Sequence, residues 1–230
     1  MVSIPDSLSD VVTQAAEATK KALAAGQTRL QIEILLPELK PLPIAEQLLL
    51  EELSDLGLLF KVFFSDAGAA ALARRDWGES PHRLLGIEEL WEPIAPEDQA
   101  FLVVAPTPVE AEKVAKMGEQ VGDRPFILLL PKLQDPTILG IGYAGRRFYT
   151  GFIETLETSY YLRPLEQGAV LRSYPDPWQV WWETSEDHYE LLASEQTVPR
   201  GDRLDEILAQ VAPEKPQQGG FWQVLQRLFR

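Results

Sequence analysis

One stretch of the sequence matches the glycine spacing of a dinucleotide-binding loop. Gly140, Gly142 and Gly145 lie in the segment GIGYAG, which fits the pattern G-x-G-x-x-G. Proteins that use this pattern place a strand before the glycines and a helix after them, so that the pyrophosphate meets the amino terminus of the helix. The residues that follow here, Arg146 to Phe152, have the composition of a strand. The pattern therefore favours a glycine-rich connection, and we predict no cofactor.

A second group of polar residues follows predicted parallel strands, where an open α/β sheet forms its ligand crevice. No two of these residues form a recognisable pair of nucleophile and base, and helix caps and solvated loop ends account for all of them. A small-molecule site in the crevice remains the alternative function, for a nucleotide or a pigment-related compound. The residues are Ser65, Asp66, Thr107, Lys132 and Asp135.

Metal and thiol chemistry are not expected. The chain has no cysteine and 2 histidines, which removes disulfides, thiol nucleophiles and thiolate ligands together. His82 and His188 do not form the His-Glu-x-x-His pair that many metal sites use. Neighbouring acidic residues such as Glu97 and Asp98 are better explained as solvated surface in so acidic a chain. We therefore predict no metal site and no catalytic residues.

The densest cluster of aromatic, proline and arginine residues is SYYLRPLEQGAVLRSYPDPWQVWW, from Ser159 to Trp182. The prolines on either side of one aspartate predict a rigid turn between two strands. An exposed arginine beside tyrosine and tryptophan is typical of binding hot spots. The alternative is an aromatic core with a structural arginine at its edge. We predict a partner-binding site formed by Arg172, Tyr174, Asp176 and Trp178.

The last ten residues, 221–230, show the spacing of an amphipathic helix and follow a linker at 212–220. Such a helix can lie on an anionic membrane, dock in the groove of a partner or fold back onto its own domain. Ten residues form little stable helix alone. We predict a membrane-binding or partner-binding helix that uses Phe221, Trp222, Leu225, Arg227, Leu228 and Phe229.

Length and charge limit the classes of protein that fit. The 230 residues have a hydrophobic fraction of 45%, enough for a sizeable core, and we expect a single domain over residues 1–211. The net charge of -14 opposes the electrostatic attraction that nucleic acids need, so no nucleic-acid partner is predicted. The amino terminus has neither the basic start nor the apolar run of a signal peptide. We expect a cytoplasmic protein that meets a membrane only at its surface.

The first 133 residues alternate helix and strand. Apolar positions at helical spacing after Ser7 predict a first helix that ends near Gly26. Three further helices are predicted, from Pro43 to Leu56, from Asp66 to Arg75, and from a capping box at Thr107. The segment from Trp77 to Pro96 is predicted to be irregular. Compact apolar runs predict strands at Arg29 to Leu36, Leu59 to Phe64, Phe101 to Ala105 and Phe126 to Leu130.

The pattern changes after residue 146. No helix is predicted from Phe148 to Ser194, only strand-like runs between turn signals, and a short helix follows at Arg203 to Val211. The predicted fold class is α/β. A parallel, Rossmann-like sheet with flanking helices occupies the first 133 residues, and an antiparallel β-meander continues it over about residues 146–194.

Two segments resemble a known family. The start, IPDSLSDVVTQAAEATKKALAAGQTRLQIEILLPEL, and the later GAVLRSYPDPWQVWW are similar to the uncharacterised cyanobacterial and plastid domain that includes the Low Photosystem II Accumulation proteins. The resemblance spans most of residues 1–200, and its second motif is the more distinctive. It implies an α/β protein of the cyanobacterial cytoplasm or chloroplast stroma that acts in photosystem II assembly. Because no transit-like segment leads the chain, a cyanobacterial source is the expectation.

These inferences lead to one functional hypothesis and one alternative. The hypothesis is a non-enzymatic photosystem II assembly or maturation factor, which binds a photosystem II subunit or another assembly factor. It would work at or near the cytoplasmic face of the thylakoid, with peripheral membrane contact through the carboxyl-terminal helix. The alternative is a small-molecule binding protein or enzyme that uses the crevice at the carboxyl ends of the parallel strands.

Overall fold

The structure is a computed structural model that describes residues 3–89, 94–133, 150–185 and 188–211. Within these residues the chain forms nine strands of one sheet. The strands are β1 Arg29–Ile34, β2 Phe60–Phe64, β3 Arg83–Gly86, β4 Ala100–Val104, β5 Phe126–Leu129, β6 Glu157–Leu165, β7 Gly168–Ser173, β8 Trp178–Ser185 and β9 His188–Glu195.

The sheet has a parallel part and an antiparallel part. Its strand order is β3-β2-β4-β5-β1-β6-β7-β8-β9. The first five pairings, from β3 to β6, are parallel, and the last three are antiparallel. The predicted fold class, a parallel sheet with flanking helices followed by an antiparallel meander, is confirmed. Strand β6 joins the two parts, because it lies parallel to β1 on one side and antiparallel to β7 on the other.

Among the described residues, five helices pack against this sheet in addition to the helical residues 150–154. They are α1 Leu8–Ala24, α2 Pro41–Glu46, α3 Ala67–Asp76, α4 Ala111–Gln120 and α5 Gly201–Leu208. A π-helical turn at Gln47–Glu52 and a 3-10 turn at Ser54–Leu56 extend α2. Helix α1 begins as predicted, because the Ser7 side chain accepts a hydrogen bond from the Asp10 backbone N–H.

Three parts of the chain differ from the secondary structure predicted for them. The segment from Trp77 to Pro96 is not wholly irregular, because β3 lies within it at the sheet edge. Residues 150–154 are helical, where a strand starting at Phe148 was predicted. Helix α4 begins at Ala111, three residues after Pro108, although the Thr107 N–H does donate to Glu110 as a capping box requires (2.8 Å).

The core lies on both faces of the sheet. Helices α1 to α3 cover one face, where they pack on residues such as Leu30, Ile32 and Tyr160. The opposite face is covered in two places. One cluster packs under α4 and Phe152, and a second packs under α5 around Tyr161. Successive residues of a strand point to opposite faces, so the even-numbered residues of β1 face α1 and its odd-numbered residues face the other side.

Candidate functional site

A cavity lies at the carboxyl end of β1, beside the ends of the neighbouring parallel strands. Its larger lobe has a volume of ≈ 460 Å³. A smaller lobe of ≈ 180 Å³ shares Glu33, Leu35, Pro131 and Lys132 with it. We call the two lobes together the β1 crevice. The larger lobe is lined by Glu33, Leu35, Pro131, Lys132, Tyr161, Arg163 and Arg200.

The β1 crevice lies where the sequence predicted a ligand site, at the carboxyl ends of parallel strands. Strand β1 contributes Glu33 and then Leu35, and its neighbour β6 contributes Tyr161 directly opposite Glu33. Lys132 follows β5 on the other side of β1, and Arg200 precedes α5. The segment after β4 adds Ala105 to the smaller lobe, so the crevice is built from five separate parts of the chain.

Backbone conformation marks the same place. Glu38, Ala105 and Leu130 have φ values of 58°, 48° and 53°, and they are the non-glycine residues with positive φ in the described part of the chain. All three line the smaller lobe. Hydrogen bonds hold two of them, from Ala105 N–H to Leu129 (2.7 Å) and from Leu130 N–H to Ile32 (2.8 Å). Residues held in this sparsely populated region cluster at ligand sites, because the surrounding structure must fix them there.

The side chain of Glu33 carries a carboxyl group within the sheet, and 4% of the residue's surface is exposed. Burial raises its pKa to about 7, since the charged form loses hydration, while the nearby Arg200 guanidinium opposes this rise. Burial also raises the pKa of the Tyr161 hydroxyl, and the Glu33 charge adds to that rise. The carboxyl group of Glu33 therefore changes its charge close to neutral pH.

Three cations line the larger lobe together with this carboxyl group. Lys132 and Arg200 are exposed, and Arg163 is half-buried. None of the three forms an ion pair with another side chain of the described residues. The chain as a whole has a net charge of -14. The lining of the larger lobe, with three cations and one titratable carboxyl group, is instead positively charged. The larger lobe can accept negative charge.

Of the predicted crevice residues that the structure describes, only Lys132 lines this cavity. Asp66 caps α3 by accepting a hydrogen bond from Ala69 N–H (2.8 Å), and Ser65 lies beside it. Thr107 donates through its hydroxyl to Glu110 (2.6 Å) at the start of α4. Asp135 lies outside the described residues. The caps that the sequence suggested for Asp66 and Thr107 are therefore observed.

The predicted partner-binding residues lie on the hairpin of β7 and β8. We call residues 174–177, between these strands, the β7–β8 turn. The turn contains a cis peptide bond between Tyr174 and Pro175, and Asp176 N–H donates to Ser173 (2.9 Å). Tyr174 and Asp176 are half-buried, and Pro175 is exposed. Because β7 runs antiparallel to β6, this turn lies at the amino-terminal end of β6, whereas the β1 crevice lies at the carboxyl ends of the parallel strands.

Arg172 and Trp178 flank the turn and form internal contacts. Trp178 is 6% exposed, and its ring packs edge-on against Tyr161 (4.8 Å between centroids). Arg172 forms an ion pair with Glu157 and lies over the Trp178 ring, 5.2 Å from its centroid. The structure therefore places these two side chains in the scaffold of the hairpin and leaves Tyr174 and Asp176 nearer the surface.

The remaining predicted features lie outside the described residues. They are the glycine segment at 140–145, the linker at 212–220 and the amphipathic segment at 221–230. Among the described residues, no helix is both long and apolar enough to cross a membrane. No group of three or more histidine, aspartate or glutamate side chains in the same residues could hold a metal ion. His82 instead packs edge-on against Phe60, whose N–H donates to the His82 Nδ1 atom (3.2 Å).

A family comparison covers both the crevice and the hairpin. The sequence model of the family described as "Domain of unknown function (DUF1995)" matches residues 5–206. The chain belongs to the DUF1995 family. The matched residues extend from before α1 into α5, so the DUF1995 domain includes the whole described sheet. No solved structure matches the chain.

Sequence reasoning missed three residues of this DUF1995 crevice. Glu33, Arg163 and Arg200 were not predicted as site residues. One signal was present in the sequence: the strand segment LQIEIL carries a glutamate at a position where a strand covered on both faces is normally apolar. Arg163 and Arg200 had no such signal, because only the pairing of β6 with β1 and the position of α5 bring them near Glu33.

Proposed function

We propose that this protein is a photosystem II assembly or maturation factor that works by binding a protein partner, without catalysis. The proposal rests on the resemblance of two segments to the cyanobacterial and plastid family that includes the Low Photosystem II Accumulation proteins. The more distinctive segment, GAVLRSYPDPWQVWW, forms β7, the β7–β8 turn and the first half of β8. The motif is thus one continuous hairpin whose strands are mostly buried.

A binding role is supported by the difference in burial and contacts between the β7–β8 turn and the residues that flank it. Trp178 and Arg172 are held by Tyr161 and by Glu157, so the strands beneath the turn have few alternative arrangements. Tyr174 N–H also donates to Ser159 on β6 (2.9 Å). A surface whose side chains are already ordered loses less conformational entropy on binding. The proposed partner surface is therefore Tyr174 and Asp176, supported by the other two residues.

The partner in this proposal is a photosystem II subunit or another assembly factor, met at the cytoplasmic face of the thylakoid of a cyanobacterium. The segment at 221–230 adds peripheral membrane contact through its apolar and basic side chains. Deleting residues 213–230 should lower the fraction of protein that sediments with thylakoid membranes. An unchanged fraction would remove this segment from the proposal.

The binding surface is tested with two charge reversals at opposite ends of the same strand β7. Asp176→Lys changes the β7–β8 turn, and Glu166→Lys makes the same charge change in the turn between β6 and β7. Immobilised protein is incubated with solubilised photosynthetic membranes, and captured photosystem II subunits are quantified. We expect loss of capture with Asp176→Lys alone. Equal capture by both variants and the unaltered protein would contradict the proposed surface, and no capture by any of them would contradict the proposed partner.

A further inference from the structure

We propose that the β1 crevice binds a small organic anion that carries an apolar group. The charged group lies in the larger lobe, and the apolar group lies in the smaller lobe. This site and the β7–β8 turn lie at opposite ends of the strands, so the site goes beyond the proposed partner binding. A ligand of this class would give the protein a second, small-molecule function.

The sign of the ligand charge follows from the larger lobe. Lys132, Arg163 and Arg200 line it together with Glu33, and none of the three cations forms an ion pair with another described side chain. Arginine and lysine donate charge-assisted hydrogen bonds to carboxylates, sulfonates and phosphates. Three such donors around one cavity favour an anion, although the net charge of the chain is -14.

The apolar character of the ligand follows from the smaller lobe. Its volume of ≈ 180 Å³ suits a short hydrocarbon group, and Glu33, Leu35, Pro131 and Lys132 line both lobes. The larger volume of ≈ 460 Å³ falls within the roughly 300–1,000 Å³ that small-molecule sites occupy. Besides Glu33, Glu38 and Lys132, the smaller lobe is lined by the apolar residues Ile34, Leu35, Leu36, Leu39, Pro41, Ala105, Leu130 and Pro131.

The backbone supplies an independent reason to assign this place to a ligand. Glu38, Ala105 and Leu130 hold positive φ values without being glycine, and all three lie on the wall of the smaller lobe. Such conformations are unfavourable for residues with a side chain, and the fold keeps them where a site needs a particular wall. These three residues line the lobe next to the charged one, which supports a ligand site at the strand ends.

Glu33 makes the proposed binding depend on pH. The titratable and charged groups that line the crevice with it are Tyr161 and Arg163 from β6, Lys132 after β5, and Arg200 before α5, with Glu38 further along its own chain segment. Protonated Glu33 leaves the cations to the ligand, whereas ionised Glu33 competes for them and repels the anion. If only the protonated form binds, the apparent Kd rises about tenfold between about pH 6 and about pH 8, because the competent fraction falls by that factor.

The test uses hexanesulfonate as the probe, since its sulfonate keeps its charge over this pH range. Binding to the whole protein is measured by titration calorimetry, and amide shifts in NMR spectra locate the site. Sulfate and hexanol serve as probes with only the charge or only the chain. We expect hexanesulfonate to bind at least about tenfold more tightly than either, with shifts at the crevice residues, as expected when charged and apolar contacts add. Equal binding by hexanol, or shifts elsewhere, would overturn the proposal.

Variants then assign the contacts. Arg163→Gln and Arg200→Gln should each weaken hexanesulfonate binding about tenfold, as expected for a lost hydrogen bond to a charged group. Arg75→Gln on α3 removes the same charge from an exposed position and should leave the Kd unchanged. Glu33→Gln should abolish the pH dependence while binding persists. Each variant is first shown to unfold in a cooperative transition. An Arg75→Gln effect as large as that of Arg163→Gln, or unchanged pH dependence in Glu33→Gln, would refute the assignment.

Discussion

Replacement of Trp178 by alanine separates a structural role of the hairpin motif from a binding role. The indole ring is 6% exposed and packs against Tyr161 and under the Arg172 guanidinium. Truncating a buried tryptophan to alanine lowers the free energy of unfolding by about 3–5 kcal/mol, because the cavity is only partly refilled. Single domains are stable by only roughly 5–15 kcal/mol, so this loss is a large fraction of the total.

The assay is urea unfolding followed by tryptophan fluorescence and by far-UV circular dichroism. With an m value of about 3 kcal/mol/M for a domain of this size, the midpoint should fall by about 1 M or more. Val109→Ala is the control, since Val109 is 85% exposed, and its change should stay within about 0.5 kcal/mol. A Trp178→Ala midpoint that differs no more than that of Val109→Ala would refute the assignment of Trp178 to the hairpin core.

Three further predictions follow from buried contacts. Gly168→Ala should lower the free energy of unfolding by about 3 kcal/mol or more in urea titrations, because φ is +137° and a Cβ atom would lie 2.0 Å from the Trp181 carbonyl oxygen. Asp98→Asn should lower it by about 2 kcal/mol, since Asp98 bonds the buried Lys61 ammonium (3.0 Å). Glu33→Gln should flatten the pH dependence of stability. Glu33 has a pKa of about 7 in the fold and 4.5 as its ordinary value, so the folded state holds an extra proton and stability falls by about 3 kcal/mol as pH rises through this interval.

Each of these predictions has a control in the same chain. Gly151→Ala introduces a Cβ atom with no neighbour within 4 Å and should not destabilise the protein. Asp55→Asn alters an exposed pair with Lys20 and should have a far smaller effect than Asp98→Asn. For Glu33, the comparison is between the unaltered protein and the variant at each pH. A variant whose stability still falls between about pH 4.5 and about pH 7 would place the titrating group elsewhere.

The lowered pKa of Asp98 also predicts how the stability of the protein changes in acid. Burial alone would raise the pKa of this carboxyl group, but hydrogen bonds from Ala95 N–H and from the Lys61 ammonium outweigh burial and lower it. The stabilisation from an acid with a lowered pKa is present above its ordinary pKa and is lost as pH falls through the folded value. Asp98→Asn should therefore lose less stability than the unaltered protein on acidification.

The parallel half of the fold could be predicted because its strands are almost wholly apolar. Strands β2 and β4 are five-residue runs in which every residue is buried, as expected for strands with helices on both faces. Strand β3 was missed because it has four residues, is only half-buried and follows a segment with glycine, serine and proline. A short edge strand carries little periodic signal.

The candidate sites could be predicted only in part, because strand order is not local. The spacing of aromatic residues indicated the hairpin of β7 and β8, whose pairing is between neighbours in sequence. The β1 crevice depends on β6 lying beside β1, more than 120 residues away in the chain, as the hydrogen bond between Gln31 and Thr158 shows (|i−j| = 127). Among the predicted crevice residues that the structure describes, only Lys132, which follows the neighbouring strand β5, lines that cavity.

The most direct test of the proposed function is the accumulation of photosystem II in a cyanobacterium whose own copy of this protein is replaced. Strains carry the unaltered chain, Asp176→Lys or Glu166→Lys at matched protein levels, and mature photosystem II is quantified on native gels. We expect less mature photosystem II with Asp176→Lys and normal amounts with Glu166→Lys. Normal accumulation in a strain that lacks the protein entirely would contradict the proposed function.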